Sequence, residues 1–412
     1  MMKREVTYRY MAQLFLLLTV LLLVACSSGE EDDGENAPCY VEISVYSPAH
    51  PMLTRADAGY ADASDDDENK VHSLQIWVFK HNNGELLGYM ADTPTDFTED
   101  GKAYRIAVTP AITEGGGSER SVDVYVLANV SSSTCGLSLN ENTTRSELDE
   151  AKIEGSHFGV SPLQSSVANG IPMSGVLKNE PVYGNFPVLR IGTESQMSSV
   201  KLARAVSKLR FVLCRVHDGS NPASRLKEIT SISLKGNQIP MQEYLMLGSA
   251  FDNSTNPAAP LSDARIRIVP DVYEEDAIDF TPPAIDDIPI VDNPLDYVYD
   301  PMVFSSLQEY EDYLKTAIGE KNLVQVGPVY LRESDKRLEG KIAYRVESDG
   351  DAAPARTADF SMTSVGDFSR DHSWTVYVFF TGGKLQVFQV VQVGIKRWTM
   401  VSEQGNHEVY NW

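Results

Sequence analysis

Eight consecutive residues, Cys39 to Tyr46, alternate without a break: Cys39, Val41, Ile43 and Val45 against Tyr40, Glu42, Ser44 and Tyr46. A period of two sends one set to each face of an extended chain, so the segment reads as a half-buried strand. Its isolation is as informative as its pattern. The stretch before it, Ser27 to Pro38, carries Glu30, Glu31, Asp32, Asp33 and Glu35 and is too polar to fold alone. Pro48 and Pro51 end the strand, and small and acidic residues then run to Glu68, among them Asp65-Asp66-Asp67-Glu68. The segment after the strand is expected to be open to proteases.

The rest of the chain repeats the alternating theme. Ser73–Lys80 reads as a strand, Asn83-Gly84 as a hairpin turn and Leu86–Met90 as the return. Tyr104, Ile106 and Val108 mark another strand; Val122, Val124 and Val126 mark the next. Arg145–Ile153 is a short helix candidate, and residues 154–187 show little periodicity. One long strand pattern covers Val200–Val216, with a domain boundary expected just before it. Thr230–Leu234 follows, then Pro-, Asp- and Asn-rich loops over residues 252–301. Ser306-x-x-Glu309 is a capping box opening a helix with the stripe Leu307, Tyr310, Leu314 and Ile318. Strands resume at 323–331, 341–346, 373–380 and 385–393, with Gly382-Gly383 turning the last hairpin. Antiparallel hairpins with few helices predict a mainly β chain of two β-sandwich-like domains, with residues 56–195 in the first and 196–412 in the second.

The N-terminus addresses the chain to a membrane. Lys3, Arg4 and Arg9 precede an apolar run from Leu14 to Val24, about half the length that spans a bilayer. Residues 1–25 read as a signal peptide cut between Ala25 and Cys26. Leu23-Val24-Ala25-Cys26 resembles a bacterial lipobox, whose cysteine thiol takes a diacylglyceryl group and tethers the precursor to a membrane. An ordinary signal peptide with a coincident cysteine is the alternative. The acidic run directly after Cys26 resembles a surface-export signal of Bacteroidetes lipoproteins. A formal charge of −23 repels phosphate backbones, which argues against a nucleic-acid partner. The other cysteines, Cys39, Cys135 and Cys214, are widely spaced, and either one disulfide or buried free thiols fits them.

No set of residues makes a persuasive active site. The seven histidines form no close metal pair, no GxSxG is present, and no P-loop lysine follows Gly115-Gly116-Gly117. The acidic run at residues 65–68 lacks the alternate spacing of a calcium loop. The chain is therefore expected to be no enzyme and to need no metal or cofactor.

Four further patterns carry a family resemblance. Ile171-Pro172-Met173-Ser174-Gly175 precedes the strand pattern at 200–216; Val329-Tyr330-Leu331-Arg332-Glu333-Ser334 closes a later strand. Phe368-Ser369-Arg370-Asp371-His372-Ser373-Trp374 forms a turn, and the chain ends Val409-Tyr410-Asn411-Trp412. In this order, behind a lipobox and a lone strand, they resemble the Bacteroidetes fimbrillins, the subunits of type V pili. Ser334 and Asp371 stand where that family usually has Asn. The resemblance implies transthyretin-like sandwiches and a lipidated outer-membrane precursor. It also implies an arginine-specific protease acting between Arg55 and Ala56, so that residues 26–55 are a lipidated propeptide. Cys39, Val41, Ile43 and Val45 would be the buried side of an exchangeable edge strand, replaced by a strand from another fimbrial subunit in a cell-surface fimbrium. Arg55 read without the resemblance is simply a loop arginine. The short tail after residue 399 favours a tip or minor subunit. The alternatives are a lipid-retaining anchor, or a monomeric surface lipoprotein that binds a host protein or glycan.

Overall fold

The computed structural model describes residues 39–46, 70–95, 97, 102–113, 120–153, 170–185, 187–217, 222–246, 272, 277–292, 304, 307–332, 334, 338–361, 370, 372–381, 384–393, 397–402 and 410–411. Ala25, Cys26, the acidic spacer, Arg55, Ala56, the run at 65–68, the glycines at 115–117 and Ser306 lie outside them. The chain is mainly β.

The N-terminal half supplies β1 (Cys39–Tyr46), β2 (Leu74–Lys80), β3 (Leu86–Asp92), β4 (Lys102–Val108), β5 (Ser121–Ala128), β6 (Lys152–Ile153), β7 (Met173–Asn185), β8 (Val188–Ile191), β9 (Ser199–Lys201) and β10 (Ala203–Arg204). Nine of these form one sheet in the order β3-β2-β5-β7-β8-β1-β4, with β10 on β7 and β9 on β1. A single core joins its strands, from Val41 and Ile43 through Ile76 and Trp77 to Val126, Leu189 and Val200. Strand β2 is buried on both faces, which is why its sequence LQIWVFK is apolar at adjacent positions as well as alternate ones. Two short helices, α1 (Ser132–Cys135) and α2 (Arg145–Glu150), pack nearby. The expected helix over 145–153 stops at Glu150, and Lys152–Ile153 pairs as a strand instead.

Strand β7 falls within residues 154–187, where the sequence shows little periodicity. Its 13 residues serve two sets of neighbours. Met173–Leu177 pairs with β5 and is buried, while Val182–Asn185 pairs with β8 and is partly exposed. Between them Asn179 takes φ of 59° and the register with β5 shifts, as at a β-bulge. Asp123 holds the bulge. Its carboxylate accepts the Asn179 N–H at 2.8 Å and Arg145 Nη1 at 2.8 Å, and lies 2.7 Å from His81 Nδ1. A strand that is two-sided in one half and one-sided in the other shows no single period.

The C-terminal half supplies β11 (Ser207–His217), β12 (Leu226–Leu234), β13 (Glu243–Tyr244), β14 (Ile278–Phe280), β15 (Ile290–Asp292), β16 (Val324–Leu331), β17 (Glu339–Val346), β18 (Arg356–Ser361), β19 (His372–Thr381), β20 (Lys384–Val393), β21 (Arg397–Ser402) and β22 (Tyr410–Asn411). A seven-stranded sheet runs β15-β11-β19-β20-β21-β22 with β16 on β11, and a four-stranded sheet runs β14-β12-β17-β18. Leu209, Phe211 and Leu213 of β11 meet the four-stranded sheet through Ile232, Phe280 and Phe360. Val212, Cys214 and Val216 point the other way, into a core with Tyr310, Leu314, Ile318 and Phe379. These last contacts come from α3 (Leu307–Leu314) and the π-helical turn after it, so Tyr310, Leu314 and Ile318 of the expected stripe are buried. Within it Glu311 accepts from Tyr377 Oη at 2.7 Å and lies 3.5 Å from Arg210 Nη2.

Two expectations need correcting here. The run read as one strand over 200–216 is broken into β9, β10 and β11. The first two pair with β1 and β7, so pairing in the N-terminal sheet continues to Arg204, past residue 195. Residues 252–301, read as loops, contain the short strands β14 and β15. After Val393, β21 pairs with β20 and β22 pairs with β21.

The two halves meet at a seam around β13. Strands β6 and β13 pair antiparallel, and the Leu245 N–H donates to Ala151 O at 2.8 Å. Segment 236–246 carries β13, and three of the four patterns singled out in the sequence converge on it. Ser174 Oγ and Arg370 Nη1 both donate to Leu245 O. Arg370 Nη2 donates to Tyr244 O at 2.5 Å, Arg332 Nη1 reaches Pro240 O at 3.5 Å, and Ser334 Oγ donates to Gln238 O at 2.6 Å. Those patterns are thus the means by which remote strands hold one connecting segment.

Candidate functional site

Strand β1 sits inside the sheet, not at its edge as the family resemblance implies. It pairs antiparallel with β4 over seven positions, Cys39↔Val108 to Val45↔Lys102. On its other side it pairs in parallel with β8 at Tyr40–Glu42 and with β9 at Ser44–Tyr46. Both ends are tied as well: the Tyr40 N–H donates to Pro187 O at 2.9 Å, and the Leu202 N–H donates to Tyr46 O at 3.0 Å. The edge expectation fails because β8 and β9, which form the second wall, are only four and three residues long. Strands so short carry no readable period.

The alternation holds in three dimensions. Cys39, Val41, Ile43 and Val45 are at most 1% exposed, and the four between them are half-buried. Burying three branched aliphatic side chains stabilises the strand in its slot by roughly 1.5–3 kcal/mol each. The inward neighbours are Tyr104, Ile106 and Val108 from β4, Leu189 and Ile191 from β8, and Val200 from β9. Burial pushes the Cys39 thiol above its ordinary pKa. Cys39, Cys135 and Cys214 are buried and form no disulfide among the described residues.

Two glycines shape the slot. A Cβ on Gly175 of β7 would lie 2.4 Å from Val200 Cγ1, so glycine lets β7 pass close behind β9. A Cβ on Gly88 of β3 would lie 2.5 Å from Ala107 O of β4. On the outward face Glu42 accepts from Arg105 Nη2 at 2.8 Å and Nε at 3.2 Å. The register puts Arg190 opposite Glu42 on the other wall, and Lys201 opposite Tyr46. These flanking residues went unnoticed in the sequence, because only the pairing reveals which basic residues adjoin β1.

The structure brings the four inward residues of β1 together with their walls, while Cys26 and Arg55 lie outside the described residues. Among the described residues no group of three His, Cys, Asp or Glu side chains could hold a metal ion. No described helix is long and apolar enough to cross a membrane. A groove lined by Ser233, Lys235, Glu339, Lys341 and Asp359 lies on the four-stranded sheet, where Lys235 pairs with Glu339.

Comparison with known proteins bears on the same segment. Residues 40–201 match the family described as major fimbrial subunit protein (FimA), so the match begins in β1 and ends with β9. No curated protein matches. Among solved structures, the chain is similar to the tip fimbrial protein Mfa3 of Porphyromonas gingivalis with C-terminal truncation. That similarity is 12% identity and a TM-score of 0.40, covering 86% of this chain and 99% of that one. A fimbrial assembly protein of Parabacteroides distasonis is 10% identical with a TM-score of 0.40, covering 91% and 99%. The fimbrilin FimA of P. gingivalis is 10% identical with a TM-score of 0.40, covering 84% and 91%. By the match over residues 40–201 the chain is similar, in its N-terminal half, to the FimA major fimbrial subunit family.

Proposed function

We propose that this protein is a structural subunit of a cell-surface fimbrium, assembled by exchange of β1 for a strand of another subunit. The observation that carries the reading is the position of β1. It fills a slot between β4 and the β8–β9 wall, and its only covalent link to them runs through residues 47–69, which include Arg55. A cut between Arg55 and Ala56 leaves β1 held by backbone hydrogen bonds and four buried side chains alone. Its departure opens an apolar channel with unpaired N–H and C=O groups on both walls, which is the template that strand addition needs. Lipid on Cys26, after removal of residues 1–25, would hold the precursor at the outer membrane. An arginine-specific protease would then release the lipid and open the slot in one step.

The C-terminal tail supports a tip or minor position. Strands β21 and β22 pair within the protein's own sheet, at Val393↔Arg397 to Phe388↔Ser402 and at Thr399↔Asn411. A tail spent at home is a poor donor. Pairing crosses the 195/196 division expected from sequence, so we place the junction between the two sandwich units between Arg204 and Ser207. In this role the protein contributes to adhesion, through a host protein or glycan ligand, and has no catalytic step.

N-terminal sequencing of surface material tests the reading. An N-terminus at Ala56 with loss of residues 39–46 supports it. Material that begins only at lipidated Cys26 overturns it in favour of a lipid-retaining anchor or a monomeric lipoprotein.

A further inference from the structure

The slot around β1 carries a charge of the opposite sign to the rest of the protein. The chain has 58 acidic against 35 basic residues, a formal net charge of −23. Yet the outward-facing residues that adjoin β1 are Ala103, Arg105 and Ala107 on β4, Val188 and Arg190 on β8, and Ser199 and Lys201 on β9. Three are cationic and none is a carboxylate. Strand β1 answers with one acidic residue and no basic one. Glu42 stands at the single position where both walls present an arginine, Arg105 on one side and Arg190 on the other. It takes two hydrogen bonds from Arg105. Two other carboxylates of this half have hydrogen-bond donors of their own: Glu180 accepts from Ser198 Oγ at 2.5 Å, and Glu194 accepts from the Tyr183 hydroxyl.

We infer that the slot selects its incoming strand by charge as well as by apolar alternation. The partner it fits is an extended segment of another polypeptide with apolar residues at the Cys39, Val41, Ile43 and Val45 positions and an acidic residue at the Glu42 position. A basic residue there meets two arginines. This rests on the exchange reading above and adds to it a rule for which strands are accepted. Like charges placed opposite each other across strands destabilise a pair, and opposite charges stabilise it by a similar amount. The rule has a second consequence. A surface with this overall charge repels its own copies at long range, so a locally positive slot draws an acidic strand to the one place where it pairs.

The test uses the full chain after digestion with an arginine-specific protease. It is offered an equimolar mixture of two peptides, both copies of residues 39–46 with Cys39→Ala, one of them also carrying Glu42→Lys. Captured peptide is separated with the protein and quantified by mass spectrometry. At low ionic strength the acidic peptide should be captured about tenfold more than the lysine peptide, and the ratio should shrink as salt is added. The double variant Arg105→Glu/Arg190→Glu, altered only at exposed positions, should reverse the preference. Equal capture of both peptides overturns the charge rule and leaves strand exchange standing. Capture of neither peptide by cut, folded protein overturns exchange itself and the rule with it.

Discussion

Arg370 and Glu243 form an ion pair at 2.9 Å with side chains 0% and 1% exposed, at the seam where segment 236–246 joins the two halves. The same guanidinium holds the carbonyls of Tyr244 and Leu245. Removing one member of a buried pair leaves the other charge without compensation. Arg370→Met or Glu243→Leu alone should therefore cost about 3–5 kcal/mol in urea unfolding, and the double variant should cost less than the sum of the two.

Asp123 should prove nearly as sensitive, because one carboxylate serves Asn179, Arg145 and His81. Asp123→Ala is expected to lose about 2–4 kcal/mol. Hydrogen exchange should localise the loss to β5 and β7, around the bulge. Uniform loss of protection across both halves would contradict a local role.

Gly175→Val places side-chain atoms where Val200 and the Lys201 carbonyl already sit. Overpacking of this kind costs about 1–3 kcal/mol. Strand β9 is one wall of the β1 slot, so the variant should also shed residues 39–46 faster than the parent after digestion with an arginine-specific protease. Chromatography of the released peptide reads that rate.

The Cys39 thiol reports whether β1 is in place. In the intact chain it is buried and its pKa is raised, while burial pushes the Cys214 thiol up to about 12. Neither should alkylate readily at pH 8. After cleavage and release of β1, Cys39 should react with iodoacetamide at the rate of a free peptide thiol, and Cys214 should stay protected. Equal reactivity of Cys39 before and after release would show that β1 does not leave a buried site.

Acid sensitivity should arise in part in the hairpin between β17 and β18. Hydrogen bonds from Arg356 and from the Val346 N–H hold Asp349 below the ordinary carboxyl value of 3.8, and Lys227 does the same for Asp351. A carboxylate whose pKa is lowered by folding stabilises the native state above its unfolded pKa. That stabilisation is lost as pH falls from about 3.8 through the lower native value. Asp349→Asn should flatten the pH dependence of the melting temperature below pH 4 and leave its shape between pH 6 and 8 unchanged.

Patterns with a single period were legible in the chain. The inward set of β1, the hairpin of β2 and β3 and the stripe of α3 could be read because each presents one constant environment along its length. Strand β7 could not, since its environment changes at Asn179, and neither could β8 and β9, which are too short to show a period. The same limit governs the site. The sequence by itself determined that Cys39 to Tyr46 is a strand with one apolar side, set apart on a separable segment. Only the tertiary structure decided that this strand lies between two walls, and that Arg105 and Arg190 flank Glu42 across them. Pairing between residues 63 and 148 positions apart is set by the packing of the whole sheet, and no local run of residues records it.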